Sequence, residues 1–205
     1  MTTKERYEMK NWSKVIAIAV CAVSLVAASV LGTIAALMVR SDTVTNTFTV
    51  GKISIKLDES RVDTAGNVID NQRVLANTYK LFPAKNYTKD PELHVEAGSE
   101  SCYLFIQVTN GIAAIEDQTE GSTIEDQILK NGWTHLDDGI YWRLYTDTTG
   151  KVDYPIFEEF TVGDVTDEQL SKCENATVTI TAYAVQSAEV ADASAAWELV
   201  ASKYN

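Results

Sequence analysis

The chain predicts an all-β domain, an antiparallel β-sandwich with short peripheral helices, standing behind an N-terminal hydrophobic helix. Three observations carry this expectation. An uncharged run from Val15 to Val39 stops at Arg40. Beyond it, apolar residues alternate with Thr, Ser and Lys in short stretches separated by Gly, Asn and Asp, the period of half-buried strands. Repeated long amphipathic helices between those stretches are missing, which argues against βαβ units and for an immunoglobulin-like sandwich.

The N-terminal segment divides by charge. Residues 1–14 form a basic stretch with Lys4, Arg6, Lys10 and Lys14. The 25 uncharged residues that follow, 15–39, would span roughly 38 Å as a helix, enough for a hydrocarbon core of about 30 Å. The positive flank places the N-terminus in the cytoplasm and the remainder, a domain over 40–205, outside. Small residues near the end of the run, Ala35 and Ala36 among them, suit a signal peptidase. The length of the run suits a retained anchor instead, and both outcomes stay open. Cys21 lies mid-run and reads as a buried apolar cysteine.

Charge narrows the function classes. The chain carries formal charge -12. Setting aside the five basic and two acidic residues before Ser41 leaves 12 basic and 27 acidic side chains, a net of -15. A surface this negative repels nucleic acid, so no nucleic-acid partner is expected.

The elements follow in order. Phe48 and Val50, then Ile53, Ile55 and Leu57, alternate with polar residues and predict a strand, with a bulge at Gly51-Lys52. Asp58 to Asn67 is polar and predicts a loop or weak hairpin. Leu93–Ala97 alternates again, and Tyr103–Val108 is a strand closed by Asn110-Gly111. Residues 112–131 are polar and mildly helical, and predict a surface excursion. Trp133, the Asp137-Asp138-Gly139 turn and Ile140–Tyr145 predict a β-hairpin. Asp147–Gly150 is a turn, Ile156–Val162 a strand and Asp167–Leu170 a helical turn. Val178, Ile180, Ala182 and Ala184 alternate with Thr177, Thr179, Thr181 and Tyr183 to give the clearest strand. Ala191–Ser202 predicts a terminal helix packed on the sheet.

Chemistry-bearing patterns are sparse. The two histidines, His94 and His135, lie about 40 residues apart with no His-Glu-x-x-His spacing, so no zinc site is expected. Both are expected to point outward. No nucleophile elbow, Ser-x-x-Lys pair or phosphate-cradling loop is present, and neither enzyme activity nor a cofactor is expected. Asp147–Asp153 has some of the oxygens a calcium site needs but lacks the EF-hand spacing, and bound calcium stays open. Cys102 and Cys173 are candidate bridge partners, worth about 3–5 kcal/mol if unstrained, and two separate buried thiols are an equal alternative. Trp133, Tyr141, Trp142 and Tyr145 read as core and cross-strand packing before a sugar-binding face.

Val44-Thr45-Asn46-Thr47-Phe48-Thr49-Val50-Gly51-Lys52, following an export segment, resembles the mature start of TasA/camelysin-like proteins of Gram-positive bacteria. Lys89-Asp90-Pro91, Cys102–Asn110, Gly132-Trp133 with Leu136–Tyr141, and Thr177–Gln186 are further similar pieces. The junction departs from the family's usual Ala-Tyr-Phe-Thr-Asp-like form, reading Ala36-Leu37-Met38-Val39-Arg40. The resemblance implies a jelly-roll-like sandwich and a role as a matrix-fibre subunit or cell-surface protein; some members carry a metalloprotease label. A Thr- and β-branched-rich strand at the start of the domain can add to a neighbour's sheet edge, and a head-to-tail contact of this kind builds filaments. Phe48, Val50, Ile53 and Ile55 are the side chains expected to dock, or else to pack in their own domain. The alternative to self-association is a monomeric, membrane-anchored, adhesin-like binding module.

Overall fold

A computed structural model describes residues 38–41, 52–147 and 149–204. The expectations for residues 1–37, including cleavage near Ala35 and Ala36, and for Phe48 and Val50 lie outside the described residues. Met38–Asn205 forms one compact unit, so the last two residues of the predicted apolar helix, Met38 and Val39, belong to the domain. Among the described residues no helix is long and apolar enough to cross a membrane.

The unit is all-β and sandwich-like, with three antiparallel sheets and few short helices. Its strands are β1 (Met38–Ser41), β2 (Ile55–Val62), β3 (Val68–Val74), β4 (Lys85–Thr88), β5 (Glu92–Val95), β6 (Cys102–Asn110), β7 (Thr134–Asp137), β8 (Ile140–Tyr145), β9 (Val152–Pro155), β10 (Glu159–Val162) and β11 (Val178–Gln186). The helices are α1 (Ile124–Lys130), α2 (Asp167–Lys172) and α3 (Ala193–Tyr204), with a 3-10 turn at Ala113–Ile115. A five-stranded sheet runs β1-β11-β6-β8-β7, a four-stranded sheet β3-β2-β5-β9, and β10 pairs with β4.

The alternation in sequence becomes two-sided burial. Leu104 and Ile106 of β6, Ala182 and Ala184 of β11, and Tyr141 and Tyr145 of β8 point into the main core. There they meet Ile55, Leu93 and Val95 of the four-stranded sheet and Tyr87, Phe160 and Val162 of the small one. The intervening residues Phe105, Tyr183 and Val185 pack on the opposite face under Ala193, Ala196 and Val200 of α3. The predicted terminal helix therefore forms and covers the sheet. The Val178–Gln186 strand, the Asn110-Gly111 turn and the β7–β8 hairpin form where expected.

Of the loop or weak hairpin expected over Asp58–Asn67, the hairpin forms: β2 continues to Val62, and a turn with Gly66 at φ +83 leads to β3. Two further expectations need correction. Residues 112–131 are not a surface excursion, because Ile112, Ile115, Ile124 and Ile128 are all buried in the main core. Ile112 and Ile115 are three apart on the 3-10 turn and Ile124 and Ile128 four apart on one face of α1, two short apolar pairs that the polar majority around them masks. The Ile156–Val162 strand begins only at Glu159; Ile156 and Phe157 are buried as loop residues after β9.

Gly139 closes the β7–β8 hairpin at φ +66, and its carbonyl accepts from the amide of Val108 at 2.7 Å. A Cβ there would stand 2.5 Å from the Val108 carbonyl oxygen, so neither the backbone angle nor the space admits a side chain. Gly139→Ala should destabilise the domain by about 2 kcal/mol or more, read as a lower urea midpoint, whereas Gly150→Ala, with open space around it, should shift it little.

Candidate functional site

The outer face of the four-stranded sheet carries a ladder of charge. Ile55 and Leu57 face the core, so the alternate residues Lys56 and Asp58 face outward. Register places Lys56 opposite His94 and His94 opposite Asp153, with Asp58 opposite Glu92 one step along. Arg73 reaches over from β3. Its Nε donates to Asp58 Oδ1, its Nη2 donates to the Asp58 carbonyl at 3.0 Å, and its guanidinium lies 3.5 Å from Asp90 and 3.7 Å from Glu92. Lys56 Nζ sits 2.5 Å from Asp58 Oδ2, and Lys151 Nζ 3.0 Å from Asp153.

His94 is the centre of this ladder. It points outward as expected but is only 5% exposed, because the charged side chains around it close over the ring. Nδ1 lies 2.6 Å from Asp153 Oδ1 and Nε2 2.9 Å from Asp58 Oδ1. The neutral ring has one N–H and satisfies one of these carboxylates; the doubly protonated ring satisfies both. The imidazole thus links β2 and β9 across β5. Burial pushes the Asp58 carboxyl up, but hydrogen bonds from Lys56, His94 and Arg73 outweigh it and hold the group at about 2. Asp153 is lowered as well, chiefly by its hydrogen bond to His94.

Among the described residues, Glu92, His94 and Asp153 offer ligand atoms within 4.8 Å of one another. They do not suit a single ion. Asp153 lies at Nδ1 and Glu92 nearer Nε2, at 3.9 Å, so the carboxylates flank opposite edges of the ring, whereas a metal is held about 2 Å from one nitrogen. Arg73 and Lys151 already pair with Glu92 and Asp153. Both ring nitrogens are taken up by carboxylates, Asp153 at Nδ1 and Asp58 at Nε2. What this arrangement does well is tie three strands together.

The other residues singled out from sequence are scattered. Ile53 and Ile55 are buried in the domain's own main core. Cys102 and Cys173 are separate thiols; Cys102 is buried on β6, which pushes its thiol up to about 12, and Cys173 is half-buried at the C-terminal cap of α2. His135 is exposed, its ring edge-on to Tyr141 at 5.4 Å. Trp133, Tyr141 and Tyr145 belong to the main core while Trp142 lies on the opposite face of β8, so the four aromatics share no common surface. The burial of His94 had no local signal, since it depends on Arg73 and Asp153, which are distant in the chain.

At the far side of the five-stranded sheet, β1 pairs with β11 over four residues, Met38 with Val185 through Ser41 with Ala182. β11 pairs with β6 over nine residues, Val178 to Gln186. No family model, curated protein or solved structure matches the chain.

The ladder sets a pH dependence. A carboxyl lowered by folding stabilises the fold above its ordinary value of 3.8, and that contribution is lost as pH falls through about 2. Wild-type stability, measured by urea unfolding, should therefore drop between pH 4 and pH 2. Asp58→Asn should flatten that drop and cost about 2 kcal/mol at pH 7, less than a fully enclosed pair because Lys56 stays in contact with water.

Proposed function

We propose that the chain is a structural protein of a bacterial surface or extracellular matrix, assembling by addition of an N-terminal strand to a neighbouring copy's sheet. The carrying observation is the place of β1: the first described strand of the domain lies at the edge of the five-stranded sheet, held through β11. An edge strand from the N-terminal side of the domain is joined to its sheet by backbone pairing along one side, and the same pairing can be made by the equivalent strand of a second copy, with alternate side chains filling pockets. Phe48 and Val50 lie in the segment that follows β1 and are the docking side chains in this reading. Because donor and acceptor surfaces differ, the contact propagates into filaments.

The resemblance of Val44–Lys52 to the mature start of TasA/camelysin-like proteins supports the same reading, and with it a jelly-roll form of the sandwich. The domain would act outside the cell, exported or held by residues 15–39, without a cofactor and without nucleic acid.

A second reading has its own observation. Ile53 and Ile55 are buried in the domain's own core, which favours a strand that stays in its own domain and hence a monomeric, anchored, adhesin-like binding module.

Sedimentation of the full chain and of a variant lacking Thr43–Val50 separates the two. Strand addition expects large assemblies for the full chain, lost on deletion while the melting transition of the domain persists. Assembly that is unchanged by the deletion would sink the strand-addition reading. A full chain that stays monomeric up to high concentration would favour the binding module.

A further inference from the structure

Along β2 the inward positions run Ile55, Leu57 and then Glu59. Glu59 is 4% exposed, a carboxylate where the alternation calls for an apolar side chain. A buried ion pair generally stabilises a fold less well than apolar packing of the same volume, so the partners of Glu59 are informative. Its Oε2 accepts from Lys89 Nζ at 2.5 Å, and its Oε1 accepts from Asn77 Nδ2 at 2.9 Å. Lys89 directly follows β4 and its side chain is 11% exposed; Asn77 lies in the segment between β3 and β4.

The rest of the Asn77 carboxamide is held as firmly. The pairing of β2 with β3 shifts register between Ser60 and Val62, and backbone groups at that irregularity turn to Asn77 instead. Nδ2 also donates to the Ser60 carbonyl at 2.8 Å, and Oδ1 accepts from the Val62 amide at 3.0 Å. The carboxamide is thus fixed in one orientation, its oxygen on a backbone N–H and its nitrogen on a carboxylate. Tyr79, two residues on, packs edge-on against Tyr87 at 6.0 Å and Phe160 at 5.3 Å. Its hydroxyl is pushed well above the ordinary value, first by burial and then by the charges of Glu59 and Asp90, the sign of a poorly solvated place.

An amine and a carboxamide bridged by one buried carboxylate have the parts of an acyl transfer: nucleophile, electrophile and proton carrier. We infer that Lys89 Nζ and Asn77 Cγ join in an isopeptide bond, a cross-link within one chain that forms once folding has brought the three side chains together. Glu59 takes a proton from the Lys89 ammonium, and the freed amine attacks Cγ of Asn77. The Nζ–Cγ bond forms while the Val62 amide holds the charge developing on Oδ1, as an oxyanion-hole donor does. Glu59 hands its proton to Nδ2 and takes a second from Nζ; the Cγ–Nδ2 bond breaks, and ammonia leaves, carrying off that second proton as ammonium. Nothing is oxidised or reduced. The bond ties the segment after β3 to the end of β4 and, unlike a disulfide, resists reduction; the thiols of Cys102 and Cys173 stand apart. It rests on neither reading of assembly, because it forms inside a single copy.

The test is mass spectrometry of the folded full chain. It should be lighter than its sequence requires by one ammonia. Trypsin, which cuts after Lys80 and Lys85, should release a branched peptide joining the segment that holds Asn77 to the one that holds Lys89. Glu59→Gln, which keeps the shape of the side chain, should lose the branch while circular dichroism still shows a folded domain, and Lys89→Met should restore the full mass. An unbranched digest from the folded wild-type chain would overturn the bond, whatever the variants do. Ammonia lost without a branch would mark an asparagine cyclised on its own backbone and overturn it equally. A branch that persists in Glu59→Gln would overturn the role given to Glu59.

Discussion

The pairing of β6 with β11 is the constraint on which the rest of the domain depends. It runs unbroken over nine residues and lies at the centre of the larger sheet, so both of its faces must be covered. One face receives the second and third sheets through Leu104, Ile106, Ala182 and Ala184. The other receives α3 through Phe105, Tyr183 and Val185. The small alanines on the inward side let the sheets approach closely, and the large aromatics on the outward side fill the gap beneath a helix. Helix, hairpin and second sheet are each positioned by this one ladder.

Around it the molecule handles its excess of acid in two ways. On the four-stranded sheet the carboxylates alternate with Lys and Arg across neighbouring strands, and His94 is drawn in between two of them. Opposite charges in register add to backbone pairing. Beside α1 the acids Glu116, Glu125 and Asp138 line a cleft whose lining contains no Lys or Arg, and Glu116 holds the start of the helix by accepting from the Ile124 amide. The difference is positional. The ladder lies where strands bring basic residues alongside, and the cleft lies where a turn-rich segment folds back on a hairpin.

Much of the fold was legible in the sequence because two-sided alternation has a strong period. Val178–Gln186 and Cys102–Asn110 show it over nine residues, and the Asp-Asp-Gly turn marks the hairpin between β7 and β8. Shorter strands were not legible: β4 and β9 have four residues each, too few for a period to emerge from noise. The core role of residues 112–131 was hidden because four isoleucines are diluted among polar neighbours. The burial of His94 and the acidic cleft are products of tertiary contact. Neither Arg73 nor Asp153 is near His94 in sequence, and the cleft gathers residues from β6, α1 and the β7–β8 hairpin.

The separation of the central partners along the chain governs how the domain is made. Tyr183 and Gln107, which share a hydrogen bond across the central pair, are 76 residues apart, and β1 closes on β11 from the opposite end of the domain. Closing such loops has an entropic cost that must be met before the contacts reward it, so formation of this sheet is intrinsically slow. A chain synthesised from its N-terminus holds β1, β6 and β8 long before β11 exists. Until β11 emerges, the central strand lacks its partner and its apolar faces stay open. The half-made chain is then a substrate for chaperones and vulnerable to premature association, which makes the timing of β11 a determinant of yield.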